Sequence, residues 1–242
     1  MELTGRVALV TGAGRRLGAA IAAGLARAGC DVAVHHHASA DGAEETLRSV
    51  RDAGRRGERF AADLRDPTAA RELPGRVVEM FGRLDVLVNS AAVMLRREFE
   101  SITPRDWNDT LALNLSAALF TAQGAAPHLR LTHGKIVNLA DLAAYEVWPD
   151  YLPLNVSKAG VVMLTQGLAR VLAPEVTVNA IAPGAVLPPD DWPAAARDHL
   201  AATTPLRRLG TPADVMQAVL FLLASDYVTG IVVPVDGGRL VR

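Results

Sequence analysis

The chain has 242 residues, of which 50% are hydrophobic and 21% charged, with a formal net charge of −1. That length suits one large α/β domain or two small ones with a sizeable core, and the balanced charge gives no basic face for nucleic acid. A single cysteine, Cys30, leaves no internal disulfide to form and suits a reducing, cytoplasmic setting. No apolar run has bilayer-spanning length, and the opening MELTGRVALV meets a glycine loop too soon to read as a signal peptide.

In chain order, short apolar runs alternate with amphipathic segments. RVALVTG reads as a buried strand, and RLGAAIAAGLARAG as a helix with its stripe at Leu17, Ile21, Leu25 and Ala28. DVAVHH is a second strand, ADGAEETLRSVRDAG a polar-faced helix, and RFAADL a third strand. A helix is expected from about Pro67 to Gly82, then the strand LDVLVNSAA. Thr103-Pro104-Arg105-Asp106 starts a helix reaching about Leu129: a Thr cap, Pro in the first turn, an acid three residues on. The strand GKIVNLA, a helix over Asn155 to Leu172 and the strand VTVNAIAP follow. Thr211-Pro212-Ala213-Asp214 caps a helix ending near Ser225, and GIVVPVDGG is the last strand.

This βαβ alternation predicts a Rossmann-like, doubly wound α/β fold: one domain over 1–242, a mostly parallel sheet with helices on both faces. The irregular zone at about 184–210, with Pro188, Pro189, Pro193 and Pro205, is expected to be a long loop covering a ligand beyond the strand ends.

TGAGRRLG, Thr11 to Gly18, lies between the first strand and the first helix. Glycine there lets backbone approach a diphosphate, and the helix N-terminus favours negative charge. Gly12, Arg15, Arg16, Leu17 and Gly18 are the candidate contacts. The second strand ends in HHHAS, with no acid to bind ribose hydroxyls and repel a 2′-phosphate. Arg15, Arg16, His37 and Ser39 favour that phosphate, hence NADPH. The three histidines are not read as a metal site, because neighbours on a strand point to opposite faces.

The loop resembles the T-G-x-x-x-G-x-G of the short-chain dehydrogenase/reductase family. Arg16 at the middle glycine resembles pteridine reductases and their bacterial dihydropteridine-reductase relatives, and implies an arginine near both phosphates and substrate. Further pieces fit the family in order: Asp63 and Leu64 as its adenine-binding step, Asn89, Ser90 and Ala91 where it has N-N-A-G, and Pro183-Gly184 as its turn beside the nicotinamide. The resemblance covers nearly the whole chain. It implies strand order 3-2-1-4-5-6-7, a homotetramer and a small-molecule substrate.

Family members use an Asn, a Ser, a Tyr and a Lys. Asn114 and Lys158 match two of them, and the lysine also holds the nicotinamide ribose. The serine position holds Asp141, as in pteridine reductases, and the tyrosine position, four before Lys158, holds Leu154. Loss of a positioned general acid typically costs about 10²–10⁴ in rate. Three readings follow. The donor has moved to Tyr151, Tyr145 or Asp141; the reaction is reduction of a C=N bond, which forms no alkoxide and takes its proton from Asp141 or solvent; or the chain is a non-catalytic NADP(H)-binding protein or sensor. The expected function is NADPH-dependent reduction of a C=N or C=O bond in a small, planar, polar substrate.

Overall fold

The computed structural model describes residues 1–188 and 192–241. Seven parallel strands, β1 (Val7–Val10), β2 (Asp31–His36), β3 (Gly57–Ala61), β4 (Val86–Asn89), β5 (Lys135–Leu139), β6 (Thr177–Pro183) and β7 (Val232–Val235), form one sheet. Their order is β3-β2-β1-β4-β5-β6-β7, as expected. The helices are α1 (Arg16–Arg27), α2 (Ala40–Asp52), α3 (Pro67–Phe81), α4 (Pro104–Leu111), α5 (Ala117–Thr132), α6 (Leu152–Leu172), α7 (Ala194–Thr203) and α8 (Pro212–Ala224).

The strands read as near-continuous apolar runs because both faces are covered. One core layer joins Ile21 and Leu25 of α1, Leu47 of α2 and Val219 of α8 to the sheet. The other joins Leu73 of α3, Leu129 of α5 and Leu168 of α6. Helix starts follow local chemistry. Thr103 with Asp106, and Thr211 with Asp214, form reciprocal capping boxes before Pro104 and Pro212. Asp66 caps α3, and Gly82 ends it in the left-handed region at φ 83°.

Four expectations need correction. LDVLVNSAA is strand only to Asn89, because the Ser90 and Ala91 N–H groups turn to the Thr11 hydroxyl at 2.9 and 3.1 Å. β3 begins and ends earlier than RFAADL, since Ala62 follows the last residue paired with β2. α6 begins at Leu152, with Pro153 in its first turn, where a missing N–H costs nothing. The supposed loop at 184–210 contains α7. Its sequence AAARDHLAAT favours helix by propensity but has no buried residue, so burial periodicity gave no signal. Pro189, with Asp190 and Asp191, lies outside the described residues. The helix after Thr103 continues to Thr132 through a wide turn at Ala112–Ser116, where the Ala117 N–H reaches back to the Ala112 carbonyl. No helix among the described residues is long and apolar enough to cross a membrane.

Candidate dinucleotide and catalytic site

The sheet order reverses between β1 and β4, and a cleft opens there at the strands' C-terminal ends. Thr11, Leu64, Asn89, Ala91, Asn114 and Leu139 are among its lining residues. Of these, Leu64, Asn89, Ala91 and Asn114 are expected residues, brought together from the ends of β3 and β4 and from the Ala112–Ser116 turn.

The glycine loop is built without slack. Gly12 has φ 66°, and a Cβ there would lie 2.8 Å from Ala91 Cα. A Cβ on Gly18 would sit 2.4 Å from the Gly12 carbonyl oxygen. Arg16 takes the left-handed conformation at φ 52°, the backbone shape that a glycine would adopt more cheaply. Its guanidinium donates to the Leu187 carbonyl, so Arg16 joins the glycine loop to the segment after β6. Leu17 packs against the core beneath the loop rather than facing the cleft alone. Arg15 is exposed. No side chain caps α1 and no acid lies in its first turn, leaving its N–H groups to an anion. The crowded glycines, open helix end and two arginines suit a dinucleotide diphosphate.

The HHHAS stretch splits by environment. His35 is buried; its Nδ1 accepts from the Gly12 N–H at 3.0 Å, and its Nε2 lies 3.2 Å from the Ala62 carbonyl. His36 lies with Nδ1 3.3 Å from the His37 carbonyl. His37 is half exposed, 3.9 Å from Asp63. Ser39 stands at the start of α2 with its hydroxyl making no cap bond. Asp63 is gripped by the Arg65 guanidinium, which draws its carboxyl down to about 2. Among the described residues, no group of three or more His, Cys, Asp or Glu is placed to hold a metal ion.

Asn89 and Asn114 are held by protein. Asn89 donates to Asn138 Oδ1 at 2.9 Å and accepts from the Thr121 hydroxyl at 2.8 Å, while Asn138 donates to Thr165 at 3.0 Å. This buried ladder ties β4 and β5 to α5 and α6. Asn114 accepts from the Val93 N–H and donates to the Val93 carbonyl and to Ser157 Oγ. Ser157 Oγ in turn donates to the Leu154 carbonyl at 2.8 Å.

Lys158 is buried, and its ammonium donates to the Leu139 carbonyl at 2.6 Å. Burial pulls its pKa down, with the Asp141 charge pulling back. Asp141 accepts from the Ala143 N–H at 2.9 Å. Burial raises its carboxyl pKa, against the Ala143 N–H and the Lys158 charge. Leu154, one turn before Lys158, is 2% exposed. Tyr151 packs edge-on against Trp148 with ring centres 5.9 Å apart, beside the Arg96–Asp150 ion pair. Tyr145 is half exposed, and burial of its hydroxyl end raises its pKa. Pro183 ends β6, and Gly184 fits closely on Asp236, where a Cβ would come within 2.8 Å of its Cα.

The sequence reading overlooked Thr11, His35, Asn138 and Ser157. The alternation of β2 carried a signal for His35, since it must face opposite His36. The others became visible only through long-range pairing.

A family model described as enoyl-(acyl carrier protein) reductase matches residues 12–239. A granaticin polyketide synthase putative ketoacyl reductase 2 from Streptomyces violaceoruber is 38% identical, the match covering 96% of this chain and 95% of that protein. A 2-dehydro-3-deoxy-D-gluconate 5-dehydrogenase from Escherichia coli is 36% identical over 100% of this chain and 98% of that protein. Among solved structures, a putative short-chain alcohol dehydrogenase from Sinorhizobium meliloti superposes with a TM-score of 0.93 at 35% identity, covering 99% and 98% of the two chains. A blue fluorescent protein from a metagenomic library, in complex with NADPH, gives 0.91 at 31% identity, covering 98% and 99%. With fold, glycine loop and full-length similarity in agreement, the chain belongs to the short-chain dehydrogenase/reductase family of oxidoreductases, which bind a nicotinamide cofactor.

Proposed function

We propose that the protein is an NADPH-dependent reductase of the pteridine-reductase type, acting on a C=N or C=O bond of a small, planar, polar substrate without a tyrosine donor. The observation that carries this reading is the acid–base pair of Asp141 and buried Lys158 beside Leu154. The cofactor preference rests on Arg15, Arg16, His37 and Ser39, with no acid at the end of β2.

Bound NADPH supplies the hydride. Lys158, anchored on Leu139, orients the ribose and offers positive charge. Asp141 keeps its proton to a higher pH than an ordinary carboxyl and passes it to the reduced nitrogen or oxygen, directly or through water. Asn114 and Ser157 hold the backbone around this pair. Asp63 and Leu64 would hold the adenine end, and Ser90, Ala91, Pro183 and Gly184 would hold the rest of the cofactor. The described residues just after β6, through the Arg16–Leu187 contact, would cover the site. Exposed Val156, Met163 and Val171 on α6, with Phe221, Tyr227 and Ile231 near the C-terminus, suit the faces of a homotetramer.

NADPH consumption with dihydrobiopterin, for the natural protein and Leu154→Tyr side by side, tests the reading. Turnover by the natural protein with little gain in the variant supports C=N reduction without that tyrosine. Turnover by the variant alone overturns it in favour of a second reading, a non-catalytic NADP(H)-binding protein or sensor. Buried Leu154 and the fully engaged Asn114 side chain favour that second reading.

A further inference from the structure

We infer that His35 is a positioning residue for the dinucleotide: its neutral imidazole locks the glycine loop to the adenine step. The inference rests on a nicotinamide dinucleotide lying across these two segments.

The geometry fixes the imidazole's chemical state. The Ala62 carbonyl only accepts, so the proton must sit on Nε2 of His35, 3.2 Å away. The Gly12 N–H only donates, so Nδ1, 3.0 Å away, must be bare. One neutral tautomer satisfies both. An imidazolium would turn an N–H toward the Gly12 N–H.

Burial supports the neutral form, lowering the pKa to about 4. Nearby His36 at the end of β2, His37 just beyond it and Arg76 on α3 push the same way, while the Ala62 carbonyl opposes.

The main chain around His35 repeats the linkage. Its carbonyl accepts from the Ala13 N–H at 2.8 Å, and the neighbouring His36 carbonyl accepts from the Ala62 N–H at 3.1 Å. Residue 35 therefore holds two successive N–H groups of the glycine loop, one by its ring and one by its backbone. The ring's other edge holds the residue just before Asp63. Gly12 is meanwhile pressed against Ala91, so it cannot shift in that direction. The segments for diphosphate and adenine are thus set at a fixed separation before the cofactor arrives. That preorganisation should appear in affinity, leaving the chemistry of the bound complex unchanged.

Three variants of the full chain separate the contacts. His35→Asn keeps an acceptor near the Nδ1 position, His35→Gln keeps a donor near Nε2, and His35→Leu keeps neither. NADPH and NADH affinities are read by nicotinamide fluorescence titration, alongside kcat, KM and melting temperature. The expected result is that all three bind the preferred dinucleotide more weakly, Leu roughly three- to tenfold and Asn and Gln by no more than Leu, with kcat at saturating cofactor unchanged. Asn or Gln binding as tightly as the natural protein overturns the inference; so does a fall in kcat at constant affinity. Failure of the natural protein to bind either dinucleotide would instead overturn the cofactor reading itself. If the variants do not fold, 15N spectra of the natural protein decide: a bare Nδ1 and a protonated Nε2 on His35 are expected, and the opposite tautomer sinks the idea.

Discussion

The Lys158 ammonium donates to the Leu139 carbonyl across 2.6 Å, tying the second turn of α6 to the last residue of β5. A proton-bearing nitrogen is thereby fixed at the sheet's C-terminal edge, one helical turn from Leu154, a side chain with no proton to give.

Supplying that proton should change the substrate range. In Leu154→Tyr, the new hydroxyl lies on the same helix face as Lys158, whose charge favours the phenolate. Reduction of simple ketones is expected to rise about 10²-fold or more, measured as kcat/KM with NADPH. The larger ring enters a buried position, so a stability loss of about 1–3 kcal/mol should appear in denaturant titration.

Cofactor choice should turn on the end of β2. His37→Asp places a carboxylate where a 2′-phosphate would lie and offers an acceptor to ribose hydroxyls. The ratio of NADH to NADPH affinity should rise roughly tenfold or more. Parallel titrations with the two dinucleotides read this directly, and an unchanged ratio would remove His37 from the phosphate site.

His35 also predicts an acid sensitivity of folding. Its folded pKa, about 4, lies below the ordinary 6.5. The unfolded chain therefore binds the proton more readily. The contribution is fully present above pH 6.5 and is lost as the pH falls from there to about 4. Across that window the natural protein should lose about 3 kcal/mol more than His35→Asn. Denaturant titrations at a series of pH values provide the check.

Asn138→Ala removes the middle of the buried ladder, leaving the Asn89 amide short of an acceptor and the Thr165 hydroxyl short of a donor. A stability loss of about 1–3 kcal/mol for each stranded group is expected. Asn138→Asp should be worse, since it adds a buried charge. Calorimetric melting of both variants measures the difference.

Much of the architecture was legible because periodicity and caps are local signals. Buried runs such as VALV, and Thr-Pro starts with an acid three residues on, identify their elements without reference to the rest of the chain. α7 escaped because it buries no residue, leaving propensity as its only trace. The candidate site was legible where backbone demands constrain residue type, as at Gly12 and Gly184, or where a side chain stands out, as at Lys158. Asn89 and Asn114 show the limit. Both line the cleft, and what the sequence does not show is that their amides bond to Asn138, Thr121, Val93 and Ser157. Those partners lie 21 to 49 residues away, so only the folded chain reveals them.

The wide turn at Ala112–Ser116 has a consequence for the long helix around it. Each extra residue on an α-helix advances the azimuth by about 100°, and a turn closed five residues back accommodates one more than usual. Everything after Ser116 is therefore rotated about the common axis relative to everything before Leu111. α4 lies against α6, whereas α5 lies chiefly against α3 and only lightly against α6. A straight helix would carry one stripe down its length; this one shifts its stripe across Ala112–Ser116, so a single continuous backbone moves its main contact from α6 to α3.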